Sequence, residues 1–489
     1  MRRSPKLTYD RGTLLLHPPP KGKAWIDFAR WDDRVEKFRI QAIDYRSLIE
    51  TLEHNQINFI DDAKEFFSLD IEANLPMTPY PHQKEALDAW KKAHRKGVVV
   101  LPTAAGKTYL AQMAIASTPR TTLIVVPTLD LMHQWYAQIE NAFPTIEVGL
   151  LGGGSHDSSP ILIATYHSAA IHAKILGNHY ALQIFDECHH LPTDFFKAIA
   201  EESIAPYRLG LTATPERGDG SHRHLNTLIG QIVYRKTPEE LSKIALCEYE
   251  IISIKVTLTP QEKQRYHQAI KTRNDFLKQS NIYLSNLEGW QQFIKASAKS
   301  PAGRRAMIAH REAKDIASGT EGKLKVLTEL IEKHYPDKTL IFTNDNATVY
   351  RISQQYLIPA ITHQTPVKER HKILTKYKQG DYKILVASHV LNEGVDVPDA
   401  KIAIILSGTG STREYIQRLG RILRKANHQE KLALLYEVVA ENTSEEKTAH
   451  RRQKNMQSPQ QVIPLSYGKP KRNDTLKAAE SPTEWDTNA

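Results

Sequence analysis

The chain has 489 residues, more than one hydrophobic core can organise, so two to four domains are expected. Its 40% hydrophobic and 25% charged content is that of a globular protein in water, and no apolar run is long enough to cross a bilayer. The net charge of +10 suits a polyanionic partner, and the two cysteines, Cys188 and Cys247, exclude a disulfide framework. The opening Met1-Arg2-Arg3-Ser4-Pro5 has no apolar signal core. A cytoplasmic location (nucleoid-associated in a prokaryote) is therefore expected, with no membrane partner.

Residues 1–77 read as a small α/β unit. Leu14–Leu16 reads as a strand before Pro18-Pro19-Pro20, and Arg46–Glu53 as a helix with Leu48, Ile49 and Leu52 on one side. Leu75–Pro81, with three prolines, reads as a linker. From residue 78 to 240, apolar runs of strand length alternate with helical stretches: Val98–Leu101, Thr122–Val126, Ile161–Ala164, Leu182–Phe185 and Arg208–Leu211. That alternation predicts a parallel sheet with crossover helices and functional residues at the carboxyl ends of the strands. Residues 241–318 read as a linker and a helix-rich, basic segment, with Tyr266, Phe276, Tyr283, Trp290 and Phe293 among its Lys and Arg. A second alternating region at 319–440 has predicted strands Thr339–Phe342, Lys383–Ala387, Ile402–Leu406 and Leu432–Tyr436. Residues 441–489 are polar and basic and lose periodicity, as a partly disordered tail does. The fold class is α/β, with two alternating regions that suggest two copies of one architecture.

Several strings carry chemistry. Thr103-Ala104-Ala105-Gly106-Lys107-Thr108 follows a strand and opens a helix, so its N–H groups and the helix N-terminus can wrap phosphates. Lys107 would reach the β- and γ-phosphates and Thr108 would ligand Mg²⁺. Leu101 stands where the general pattern has its first Gly, and Ala104 replaces another. Asp186-Glu187 ends an apolar strand, which suits Asp186 to hold Mg²⁺ through water and Glu187 to deprotonate the attacking water. His189 is assigned a coupling role rather than a metal, because no Cys/His cluster of ligand spacing is nearby. Arg421 and Arg424 lie one helical turn apart, with Gln417 on the same string, and paired guanidiniums suit a triphosphate in its transition state. Thr212 and Thr214 follow a strand and are placed to link the nucleotide site with the opposite surface. Pro127, Thr128, Thr165 and Ser388 also follow strands, where small hydroxyls and N–H groups suit a sugar–phosphate backbone.

In this order the motifs of residues 82 to 436 resemble those of a superfamily 2 helicase, with Gln83 where such proteins read adenine and Asp396 in Glu393-Gly394-Val395-Asp396-Val397-Pro398. Within it the chain is most similar to the XPB group in its compact archaeal and bacterial forms. Leu209–Thr214, Leu357–His363 and Ser407–Arg418 carry this, as does the N-terminal Tyr9–Thr13 with Trp31–Arg34. The resemblance implies two RecA-like parallel-sheet domains, an N-terminal DNA-damage-recognition-like domain and a helical thumb. It implies ATP-dependent 3′–5′ DNA translocation or unwinding in nucleotide excision repair, with ATP and Mg²⁺ as cofactors, duplex and single-stranded DNA as partners, and a nuclease as a candidate partner. An RNA-remodelling ATPase and an ATP-gated DNA-binding switch are the alternative readings. Where the group carries Arg-Glu-Asp after Thr-Ala-Thr, this chain has Arg217-Gly218-Asp219. The missing carboxylate bears on strand separation more than on hydrolysis.

Overall fold

Apolar runs alternating with helices become two parallel sheets, each long enough to be covered on both faces. The computed structural model describes residues 4–75, 77–217, 219–241, 247–284, 287–388, 400–407, 432–446, 448–449 and 460–465. The strands of the first large sheet run in the order Ile232–Arg235, Lys96–Val100, Tyr207–Thr212, Leu182–Asp186, Thr122–Val126, Ile161–Thr165, Val148–Gly152 and Ser155–His156. All pair in parallel except the last. Register decides what meets at the edge. Thr212 aligns with Val100, and Leu211 with Asp186, so the loops that follow three neighbouring strands emerge side by side.

The second large sheet runs Ala360–Ile361, Ile384–Ala387, Thr339–Phe342, Ile402–Ile405, Leu432–Ala440, Glu248–Val256 and Gln460–Leu465, all parallel. Strand Glu248–Val256 pairs along its whole length with Leu432–Ala440 and carries Gln460–Leu465 on its other side. The chain therefore enters the second sheet before the helical segment and returns to it from the stretch that lacks sequence periodicity.

That segment is three helices, Pro260–Gln279, Leu287–Lys299 and Pro301–Gly319. Thr259 and Glu262 form a capping box, and Glu262 also accepts from Thr320 Oγ1 at 2.7 Å and Glu321 N at 3.1 Å, which clamps the outgoing helix to the returning chain. Phe276, Trp290 and Phe293 pack with Leu277, Ile282 and Ala306 into a small core, and Tyr266 is buried against the second sheet. These aromatics form a packing seam; Tyr283, 75% exposed, is the exception.

The N-terminal sheet runs Ala29–Asp32, Lys37–Gln41, Thr13–His17, Lys6–Asp10 and Ile60–Asp62. Helix Tyr45–His54 packs Leu48 and Leu52 onto Leu7, Leu14, Leu16 and Ile40. Trp25 belongs to this core, edge-on to Phe38 at 4.8 Å, whereas Trp31 is half exposed. The unit docks on the first large domain. Tyr9 Oη donates to Glu202 O at 2.7 Å, Arg46 Nη1 to His94 O at 2.7 Å, and Asn178 Nδ2 to Ala63 O at 3.0 Å. Gly177 sets how closely they approach, since a Cβ there would lie 2.0 Å from Tyr9 Oη and 2.2 Å from Glu202 O. Gly177→Ala must part that contact and is expected to cost about 1–3 kcal/mol, as overpacking does. Limited proteolysis should then release the N-terminal unit faster; a wild-type cleavage rate would contradict this account.

Candidate functional site

The phosphate loop begins where strand Lys96–Val100 stops and ends at helix Lys107–Ser117. Ala104 at φ 70° and Gly106 at φ 79° curl it, the backbone form that gathers successive N–H groups into an anion-binding concavity. The glycine expected at 104 is thus replaced by an alanine that still takes a glycine's conformation. Gly106 has a second constraint: a Cβ would lie 2.2 Å from Gln83 Nε2. Thr103 Oγ1 is buried with no hydrogen-bond partner among the described residues. Lys107 Nζ donates to Leu101 O at 3.4 Å and lies 3.7 Å from Glu187 Oε1. An orphaned hydroxyl, a curled loop and a lysine held only by long contacts fit an anion in this cradle.

Gln83 sits in the first turn of helix Pro81–Lys92. Its Oε1 accepts from Tyr80 N at 2.9 Å, and its Nε2 donates to Gly106 O at 3.2 Å and Ala105 O at 3.4 Å. His82 Nε2 lies 2.9 Å from Ala105 O. The helix is therefore stitched to the loop's main chain.

Asp186 is the last residue of its strand, and Glu187 follows in the left-handed region at φ 46°. That turn directs Glu187 N to Asp186 Oδ1 at 3.0 Å, while Trp135 Nε1 donates to Asp186 Oδ2 at 3.0 Å. Burial, then the neighbouring Glu187 charge, pushes the Asp186 carboxyl up; Lys107 and the two donors oppose the rise. A bound cation would reverse that balance. Glu187 is held from its far side. Thr212 Oγ1 donates to Glu187 Oε2 at 3.4 Å, and His189 Nδ1 lies 3.0 Å from Thr212 Oγ1 and 3.4 Å from Glu187 Oε2. Thr214 N donates to Thr212 Oγ1 at 3.2 Å, and Arg217 Nη1 to His189 O at 2.9 Å, with Arg217 also paired to Asp219 at 2.8 Å. Lys107, Asp186, Glu187, His189, Thr212, Thr214 and Arg217 thus form one connected network. Among the described residues no group of three or more His, Cys, Asp or Glu forms a closed metal cage. A divalent ion here would take the rest of its shell from phosphate and water, as Mg²⁺ does.

Thr128 and Thr165 cap the starts of helices Leu129–Ala142 and Tyr166–Ile171, accepting from Leu131 N at 3.3 Å and Ser168 N at 3.2 Å. They sit at the ends of adjacent strands, where Thr165 aligns with Val126. Pro127 and Thr128 are half-buried, while Thr165 and Ser388 are buried, so of the three hydroxyls expected to meet a nucleic-acid backbone only that of Thr128 belongs to a residue near the surface in this conformation. Gly218, Asp396, Gln417, Arg421 and Arg424 lie outside the described residues. Nothing in the sequence marks three further groups. Trp135 reads as a core residue of an amphipathic helix, yet its N–H meets Asp186. Asp130 Oδ2 and Arg370 Nη1 pair at 3.0 Å and join the two large domains.

Known families match in chain order. The "Xeroderma pigmentosum group B helicase damage recognition domain" matches residues 7–63, the "Type III restriction enzyme, res subunit" residues 76–217, and the "Helicase conserved C-terminal domain" residues 322–426. A curated relative from Sulfurisphaera tokodaii, named "DNA 3'-5' translocase XPB2", is 39% identical over 460 residues, 91% of this chain and 99% of that one. The chain belongs to the XPB family of superfamily 2 helicases. The XPB relative from Kineococcus radiotolerans, named "DNA 3'-5' helicase XPB", is 29% identical over 76% of this chain, which spans 62% of that protein's length. The solved Hef helicase domain of Pyrococcus furiosus is 19% identical, covers 76% of this chain and 98% of its own, and superposes with a TM-score of 0.51, which supports the RecA-like fold alone. XPB-type helicase domains imply nucleotide binding with a divalent metal, and DNA as the substrate class. No described helix is long and apolar enough to cross a membrane.

Proposed function

We propose that this XPB-family chain is an ATP- and Mg²⁺-dependent DNA translocase of 3′–5′ sense that opens or remodels duplex DNA in nucleotide excision repair. The observation that carries this reading is the meeting of the phosphate loop, Asp186-Glu187 and Thr212–Thr214 at one sheet edge, with Lys107 3.7 Å from Glu187. The printed names of the relatives support the polarity and the substrate. The division at residues 77, 240, 318 and 440 belongs to the same proposal, as do a cytoplasmic or nucleoid location and a nuclease partner.

On this reading Thr103–Lys107 would wrap the phosphates, Gln83 would lie toward the adenine, and Thr108 and Asp186 would hold Mg²⁺. That ion would supply charge neutralisation on the phosphates. Lys107 turns from Leu101 O to the β- and γ-phosphates, and Glu187 takes the proton of the attacking water. Arg421 and Arg424 bring positive charge from the second domain, Gln417 adds a neutral hydrogen-bonding amide beside them, and Asp396 contacts the nucleotide. His189, Thr212 and Thr214 report the state of Glu187 to Arg217 through the contacts described. DNA lies along Pro127, Thr128, Thr165, Arg217 and Ser388.

ATPase stimulation by matched DNA and RNA strands tests the assignment. DNA should stimulate more strongly, and Lys107→Ala should remove the stimulated rate by at least about 10²-fold, since it deletes the charge facing the β- and γ-phosphates. Stronger stimulation by RNA would overturn DNA as the substrate.

A further inference from the structure

The carboxylate assigned to the metal accepts a hydrogen bond from Trp135, a side chain outside the strings that carry the family reading. An indole N–H can only donate, and buried among apolar neighbours it must find an acceptor. Trp135 Nε1 finds Asp186 Oδ2 at 3.0 Å, and both side chains are buried. With Glu187 N on Oδ1 at 3.0 Å, each oxygen of Asp186 receives one donor, which fixes the plane and rotation of the carboxylate. A second aromatic supports the same residue from behind: Tyr166 Oη donates to Asp186 O at 3.0 Å. These donors come from the two helices whose caps are Thr128 and Thr165. Trp135 sits two turns beyond Thr128, roughly 10 Å along the helix, and Tyr166 directly follows Thr165. Asp130, on the first turn of the Trp135 helix, meets Arg370 of the second large domain.

We propose that Trp135 is a positioning residue for the metal: its indole N–H aims the Asp186 carboxylate, and its helix carries movement of the Thr128 loop and of the Asp130–Arg370 contact to that carboxylate. This rests on the reading of Asp186 as the residue that holds the divalent ion. A shift of the helix along its axis moves the N–H donor relative to Oδ2 and changes the carboxylate's aim without any change in the phosphate loop. Tyr166 acts on the backbone of Asp186 and has a smaller effect on the carboxylate's rotation.

The test is Trp135→Phe, which keeps an aromatic ring and removes the donor. Mn²⁺ affinity of the full chain with a non-hydrolysable ATP analogue, read from the free-ion EPR signal, should weaken about tenfold, the usual scale for loss of a group that orients a metal ligand. The Mg²⁺ concentration for half-maximal ATPase should rise by a similar factor while metal-free analogue binding is unchanged. Tyr166→Phe should shift both by less than about threefold. Where Trp135→Phe folds poorly, β-(3-benzothienyl)alanine at 135 replaces it, because that side chain keeps the bicyclic shape and lacks the N–H. Metal affinity and Mg²⁺ dependence equal to wild type in a folded variant overturn the proposal. Failure of the underlying reading is distinct: wild-type protein would then show no DNA-stimulated ATPase, or Asp186→Asn would leave Mn²⁺ affinity unchanged.

Discussion

Glu187→Gln is expected to lower ATP turnover by about 10²–10⁴-fold, the range a positioned general base contributes, while ATP binding stays equal to wild type or tightens. The two halves of this result have separate causes. Glutamine keeps the shape that Thr212 Oγ1 and His189 hold, so the site stays assembled. It has no lone pair basic enough to take a proton from water. It also removes one negative charge that acts on two neighbours: it attracts Lys107 from 3.7 Å away, and it helps push the Asp186 carboxyl up. Losing both effects favours a bound metal–nucleotide. Equilibrium binding of an ATP analogue beside steady-state turnover separates them, and turnover like wild type would remove Glu187 from the base role. Lys107→Ala, by contrast, should lose binding and turnover together, because it removes the cation that the phosphates would otherwise meet.

The inner strands were legible because burial on both faces writes them as unbroken apolar runs. Thr122–Val126 and Thr339–Phe342 coincide with their predicted bounds, and Leu182–Phe185 differs only by including Asp186. Strands without such runs were not legible. Lys6–Asp10, Ala29–Asp32 and Lys37–Gln41 are short and polar on one face, and their pairing depends on partners elsewhere in the N-terminal sheet. Gln460–Leu465 joins its sheet only because Glu248–Val256 offers a free edge. In the site, residues close in sequence to a motif were found, since the local chain dictates their placement. Trp135 and Asp186 stand 51 positions apart, and Asp130 and Arg370 stand 240 apart. Such pairs follow from how strands and helices stack, which one sequence does not state. The thumb aromatics show the converse: among Lys and Arg they suit a DNA grip, but a helical packing seam is the favoured reading of the two, and packing places Phe293 and Tyr266 inside.

Arg208 carries the largest stability prediction. It reads as one residue of an apolar strand, yet its guanidinium is fully buried and meets four main-chain carbonyls: Nη1 to Leu228 O at 2.6 Å, Nη2 to Ser203 O at 2.8 Å and Ala200 O at 3.0 Å, and Nε to Ala205 O at 3.2 Å. Burial pushes its pKa down to about 10, partly offset by the charge of Asp44, so it remains a cation at neutral pH. The four acceptors come from the chain around 198–205 and from helix Leu225–Leu228, on which the N-terminal unit also docks through Ile204 and Tyr9. Arg208→Ala would leave several buried carbonyls unpaired at about 1–3 kcal/mol each, plus a cavity. Relaxation and entering water will recover part of this, so a loss of about 4 kcal/mol is expected. That corresponds to a fall of about 10 °C in the first thermal transition for a domain of this size. Arg208→Lys should recover less than half, because one ammonium has three donors and no planar fork to span the same acceptors. A fall of under about 3 °C for Arg208→Ala would mean that the carbonyls find water at no cost, and that the guanidinium does not organise this junction.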